Sequence, residues 1–113
     1  MEEGDSRFLE SVLAEVLAHL EPPKDGRIRH DLSPASLRKT TDLDLPLVGA
    51  GLDRVLSDIR SYLSQAVRTD QPGFMNPLWG GLTPEGLAGE LVTAATNTSM
   101  YTYEIAPLAS LIE

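Results

Sequence analysis

The residues in this chain that could do chemistry are few, and their types narrow the options quickly. Its 113 residues include no Cys and only two His, His19 and His30. Without Cys there are no disulfides, no thiolate nucleophile and no zinc–thiolate site. The two His stand far apart with no acids spaced to complete a ligand set, so no metal site is expected. Glu90 and Glu104 can be drawn as a general acid–base pair, but solvated or structural carboxylates are the preferred reading. Lys24, Arg27, Arg29 and His30 cluster basic charge and read as a solvated loop rather than an anion site. Asn97-Thr98-Ser99 spells a glycosylation sequon. The acidic start Met-Glu-Glu-Gly-Asp lacks the layout of a secretory signal, so a helix-ending turn is preferred there.

The elements that would position these groups are helices. The run 6–20 carries Phe8, Leu9, Val12, Leu13, Val16, Leu17 and Leu20 on one stripe of a 3.6-residue period, with Ser6 as the expected cap. Pro22-Pro23 stops it, and 21–30 reads as a linker. Ser33-Pro34 is a helix start, an N-cap followed by Pro in the first turn, leading a short turn through Lys39. Residues 42–51 read as a loop. A second helix is predicted over 52–67, with Leu52, Val55, Leu56, Ile59, Tyr62 and Leu63 as its stripe and an Arg54–Asp58 pair on its wet side. Residues 68–81 are irregular. A third helix is predicted from Thr83-Pro84, with a narrow face of Leu87, Leu91, Ala94 and Ala95 and small residues Gly86, Ala88 and Gly89 that admit a close backbone. A last helix is predicted near Tyr101 or Thr102, with Pro107 awkward inside it unless it lies in the first turn. The chain ends on Leu-Ile-Glu without a capping residue, and is expected to be cut in mid-element.

Composition sets outer limits. The length allows one domain at most, with a modest core. A net charge of −8 argues against a nucleic-acid surface and against docking on anionic lipid. No run of 18 or more apolar residues predicts a membrane span. The cytosol is the default compartment. The unusual stretch is 71–113: all nine basic residues lie at or before Arg68, so this stretch has no Lys or Arg, and it holds the only Trp. A solvated surface of that length normally mixes both signs of charge, so the stretch is expected to be buried or covered by a partner.

The same stretch resembles a known family. Pro72, Phe74, Asn76, Leu78, Gly81 and Leu82, then Gly86-Leu87-Ala88-Gly89-Glu90, Thr93-Ala94, and Asn97-Thr98-Ser99-Met100-Tyr101-Thr102-Tyr103-Glu104 with Ala106-Pro107 resemble the N-terminal region of the group II pyridoxal-phosphate-dependent decarboxylases. That group acts on glutamate, cysteine sulfinate, diaminobutyrate and aromatic amino acids, and the resemblance is closest to the glutamate-like branch. It is dense over 71–113 and weaker but collinear from about Leu32. It implies a mostly α fold in which this helical segment docks onto an aminotransferase-like (fold type I) large domain. Residues 1–31 would be an amphipathic helix and linker, and 32–113 the family-matching helical region.

The resemblance also implies roles. A pyridoxal-phosphate enzyme holds its cofactor on a Lys. Here only Lys24 and Lys39 exist; both are expected to precede the matching region altogether, and neither follows a His as the family's cofactor Lys does. No catalytic or cofactor-binding residue is therefore expected in this chain, and pyridoxal 5'-phosphate is expected on a larger partner chain. The substrate-binding residues implied are Phe74, Asn76, Pro77 and Leu78 on one wall, with Ser99 and Tyr101 reaching the neighbouring subunit's site. Pro77 stands where glutamate-like members place a Gln that helps hold the substrate's distal acid, Gln71 where the family has His, and Leu91 where it has Trp. A neutral or differently shaped amino acid is expected as substrate, and a reaction other than decarboxylation stays open. The resulting expectation is a small non-catalytic subunit, or N-terminal portion, of such an enzyme, in a dimer of heterodimers. The rival is a stand-alone helical interaction module without a catalytic role.

Overall fold

The computed structural model describes residues 1–30, 33–78, 80–99 and 101–112. Asp31, Leu32, Trp79, Met100 and Glu113 lie outside the described residues, and with them parts of the matched motifs and the chain's last position. The elements in order are α1 (Glu3–Leu20), α2 (Pro34–Thr40), α3 (Gly51–Gln65), α4 (Pro84–Thr96) and α5 (Pro107–Ile112). No strand occurs among the described residues, and no helix among them is long and apolar enough to cross a membrane. Contacts divide the chain into Met1–Gly80 and Gly81–Glu113.

In the first unit α1 packs on α3. The start of α1 lies three residues before the expected Ser6, because Glu2 is the N-cap and forms a capping box with Asp5: the Glu2 N–H donates to Asp5 Oδ2 at 3.0 Å. Acidic Glu3 and Asp5 also suit the positive end of the helix. The apolar stripe splits into two rows. Phe8, Val12, Val16 and Leu20 are half-buried, while Leu9, Leu13 and Leu17 stay exposed. The same split holds on α3, where Leu56, Ile59 and Leu63 are half-buried and Leu52, Val55 and Tyr62 exposed. An Arg60 Nε–Glu15 Oε1 ion pair of 2.6 Å joins the two helices.

α2 begins where Ser33-Pro34 places it, with Ser33 Oγ accepting from the Ser36 N–H at 3.2 Å. α3 stops at Gln65, two residues short of the predicted end. The reason is competition for backbone. The chain peels away at Ala66 so that the Arg68 N–H can donate to Ile28 O of the linker at 2.7 Å. The expected Arg54–Asp58 pair forms at 2.9 Å, and Arg54 also reaches back to Asp42 at 2.9 Å, tying the 42–50 loop to α3. Leu45, Leu47 and Val48 of that loop are almost wholly exposed.

In the second unit, Thr83 caps α4 as its sequence requires, Oγ1 accepting from the Gly86 N–H at 3.1 Å. Asn97 closes the helix at φ 45°, ψ 42°, the left-handed conformation that Asn tolerates better than most residues. The narrow α4 face is not a core here: Leu87 alone is half-buried, and Leu91, Ala94 and Ala95 are exposed. The last helix starts at Pro107, later than predicted. Before it the chain makes a turn in which Thr102 O accepts from the Ile105 and Ala106 N–H groups at 3.3 and 3.2 Å. Pro107 has no N–H to offer, so the first helical position is where it fits.

Among the described residues Ala106 is the one buried apolar side chain. A self-sufficient domain of this length would bury several large ones.

Candidate functional site

The expected pocket-wall residues follow directly from an ordered turn. Immediately after α3, Arg68 closes on Asp70 through Nε to Oδ1 at 3.0 Å and Nη2 to Oδ2 at 2.9 Å. This is the bidentate geometry that suits a planar guanidinium and a carboxylate. Nη2 also donates to Glu21 O, just past the end of α1, at 2.7 Å. Both side chains are only 11% exposed. Gln71 Nε2 adds a short hydrogen bond to Asp70 Oδ2. Burial pushes the Asp70 carboxyl up, but the hydrogen bonds from Arg68 and Gln71 and the Arg68 charge outweigh it and hold it below the usual carboxylate range. The sequence marks 68–81 only as irregular. The Arg-Thr-Asp spacing was visible in the sequence, but nothing there shows that both side chains turn inward.

The main chain continues through a turn closed by the Phe74 N–H donating to Gln71 O at 2.9 Å. Phe74 and Asn76 are half-buried, while Pro77 and Leu78 are exposed. Asn76 Oδ1 accepts from the Leu78 N–H at 2.8 Å, so its side chain shapes the turn that spans Pro77. Four of the six expected substrate-binding residues thus share one local structure. Ser99 and Tyr101 belong to the other unit, between α4 and α5, where both are exposed, Tyr101 to 91%.

The remaining candidates stay apart. Glu90 lies on α4 and Glu104 in the 101–106 turn, both exposed. His30, Lys24 and Arg27 are exposed, and Arg27 lies 3.7 Å from Asp25. His19 is half-buried near the end of α1. Burial, and secondarily the Arg68 charge, lowers its pKa, with Asp70 acting the other way. No group of three or more His, Asp or Glu among the described residues could hold a metal ion. An open groove in the first unit is lined by Leu37, Leu43, Leu45, Arg54, Val55 and Tyr62, among others; none of Phe74, Asn76, Pro77 and Leu78 lines it.

Pyridoxal phosphate does not fit the groups present. Lys24 sits in the linker and Lys39 in the last turn of α2, both exposed to solvent. Neither stands in an enclosed site with an acid for a ring nitrogen.

Residues 34–113 match the family model described as the pyridoxal-dependent decarboxylase conserved domain, and the chain belongs to that family. The match takes in Lys39, against the expectation that both lysines precede the matching region. Over 80 residues the chain is 42% identical to cysteine sulfinic acid decarboxylase of Rattus norvegicus and 40% identical to glutamate decarboxylase of Drosophila melanogaster. Each match covers 71% of this chain and 16% of the relative, so the chain spans about a sixth of the length of the proteins it resembles. The crystal structure of mouse CSAD matches with a TM-score of 0.88 and 32% identity, over 97% of this chain and 24% of that one. That structural likeness therefore extends beyond the family match into the region of α1.

Proposed function

We propose that this chain supplies part of the substrate pocket and of the subunit interface of a pyridoxal-phosphate-dependent amino acid decarboxylase-type enzyme. The cofactor Lys belongs to a larger body with a fold type I domain, onto which these helices dock in the cytosol. The chain serves either as a small subunit, in a dimer of heterodimers, or as the N-terminal portion of a longer polypeptide. On its own it is non-catalytic.

One observation carries this reading: among the described residues of this family-matched chain most large apolar side chains are exposed, from Leu9, Leu13 and Leu17 through Leu45 and Leu47 to Leu108, Leu111 and Ile112. Apolar surface of that extent marks contact with another body. The small residues of α4 point the same way, since a Cβ added at Gly89 would meet nothing within 4 Å in this chain.

Within the pocket, Phe74 provides a ring face and Asn76 an amide whose oxygen is engaged by the turn, so its N–H groups are what it can offer a substrate. Tyr101 and Ser99 provide hydroxyls from across the interface. Such contacts orient the substrate toward the cofactor, and the cofactor, when bound, supplies the electron sink. Pro77 has no side-chain donor, so an acidic substrate finds no amide partner at that position. The substrate proposed is an amino acid whose distal group needs none.

The test is reconstitution. The chain is mixed with a Lys-bearing, cofactor-loaded large chain of the family, and complex formation and amino acid turnover are measured. Turnover that requires both chains and falls when Tyr101 is replaced by Ala supports the reading. A folded monomer that joins no such chain would leave a helical interaction module without a catalytic role.

A further inference from the structure

The turn that leads into Phe74 is fastened to a part of the chain remote in sequence. Arg68 is the fastener. Its guanidinium spans Asp70, two residues on, and the main-chain carbonyl of Glu21, 47 residues back. Its own N–H donates to Ile28 O. The linker side chain completes the contact, because a Cβ added at Gly73 would lie 2.6 Å from Ile28 Cδ1. The end of α1 and the linker are thus held against 68–74 by one cation, one anion and one apolar tip.

We propose that Arg68 is a positioning residue for substrate binding: with Asp70 it staples the α1–linker segment to the turn and so fixes where 74–78 stands. The inference rests on the reading of 74–78 as pocket wall. The physical basis is that both charges are largely withdrawn from water, so removing one leaves the other poorly compensated. Asp70 would keep Gln71 and its own main-chain N–H but lose its counter-charge, and the turn would loosen just upstream of Phe74. Arg68 is placed to act through the backbone, since its bonds run to Asp70, Glu21 and Ile28. Residues 1–33, which precede the family match, thereby acquire a part in the geometry of the site.

The test compares wild type, Arg68→Gln, Arg68→Lys and Asp70→Asn in the assembled enzyme, by amide hydrogen exchange without substrate and by steady-state kinetics. Arg68→Gln should speed exchange at Arg68 and Phe74 and raise KM roughly tenfold with kcat changed less than about twofold, the pattern of lost binding rather than lost chemistry. Arg68→Lys, which keeps the charge but not the fork, should recover part of the loss. Should Arg68→Gln fail to assemble, Asp70→Asn keeps the Arg68–Glu21 bond and reads the same effect. Unchanged exchange over 68–78 overturns the staple whatever the kinetics do, and faster exchange with an unmoved KM overturns the positioning role. A wild-type assembly that shows the exchange pattern but has no turnover would count against the pocket-wall reading rather than the staple.

Discussion

Arg60 of α3 and Glu15 of α1 meet at 2.6 Å, Nε to Oε1, across 45 positions of sequence. The pair clips together the only two helices that pack on each other among the described residues. Both side chains remain partly exposed, so the pair contributes little beside the apolar contact. Arg60→Ala should therefore lower the urea midpoint of the assembled protein by less than about 1 kcal/mol equivalent. Ile59→Ala, which removes half-buried apolar surface, should cost about 2 kcal/mol. Equal losses from the two variants would mean that charge, not burial, holds α1 on α3.

His19 makes unit one sensitive to mild acid. Burial first, and then the Arg68 charge, holds its pKa below the ordinary 6.5. Between the folded and unfolded values the unfolded chain binds more protons. The stabilisation is thus complete above 6.5 and is lost as pH falls below it toward the folded-state value. Urea titrations at about pH 7.5 and about pH 5.5 should show a lower midpoint in acid, and a smaller difference in His19→Gln. An identical difference in the variant would assign the slope to other groups.

Thr83 sets the start of α4 through its bond to the Gly86 N–H. Thr83→Ala should destabilise that helix by about 1 kcal/mol, and Thr83→Ser by a few tenths at most, read from amide exchange at Gly86 and Leu87. Exchange at Gly86 that does not change in Thr83→Ala would show that the cap contributes nothing.

The caps and stripes were legible because they are local. Ser33-Pro34 and Thr83-Pro84 encode helix starts within a few residues, and Asn97 encodes a stop. The α1 start was misplaced although its Glu2–Asp5 capping box is local, because Ser6 offered a competing cap; the other misplaced ends were set by a remote partner or by backbone alone. α3 ends early because Arg68 bonds to Ile28, 40 residues away. α5 starts late because Pro107 lacks an N–H and the 101–106 turn precedes it. The resemblance pointed to Phe74, Asn76, Pro77 and Leu78, which do share one turn. It could not point to Arg68 and Asp70, whose inward turn depends on the linker folding back.

Acid should also loosen the 42–50 loop, in a different window. The Arg54 hydrogen bond first, then the Asp44 N–H and the Arg54 charge, hold Asp42 below its ordinary 3.8. The contribution of this contact is present above that value and disappears as pH falls through the lower folded-state one. Arg54→Gln should remove both loop and helix partners and increase amide exchange over 42–50 at neutral pH. Exchange no faster than in wild type would show that the loop is held by other contacts.

The central claim is that this chain's apolar faces are covered by a larger cofactor-bearing body. The direct measurement is amide exchange and native mass of the chain alone and mixed with a Lys-bearing, cofactor-loaded chain of the family. A complex is expected, with protection gained at 43–48, 74–78 and 108–112 and around Tyr101. A chain that stays monomeric, unfolds cooperatively by itself and gains no protection at those positions would contradict it.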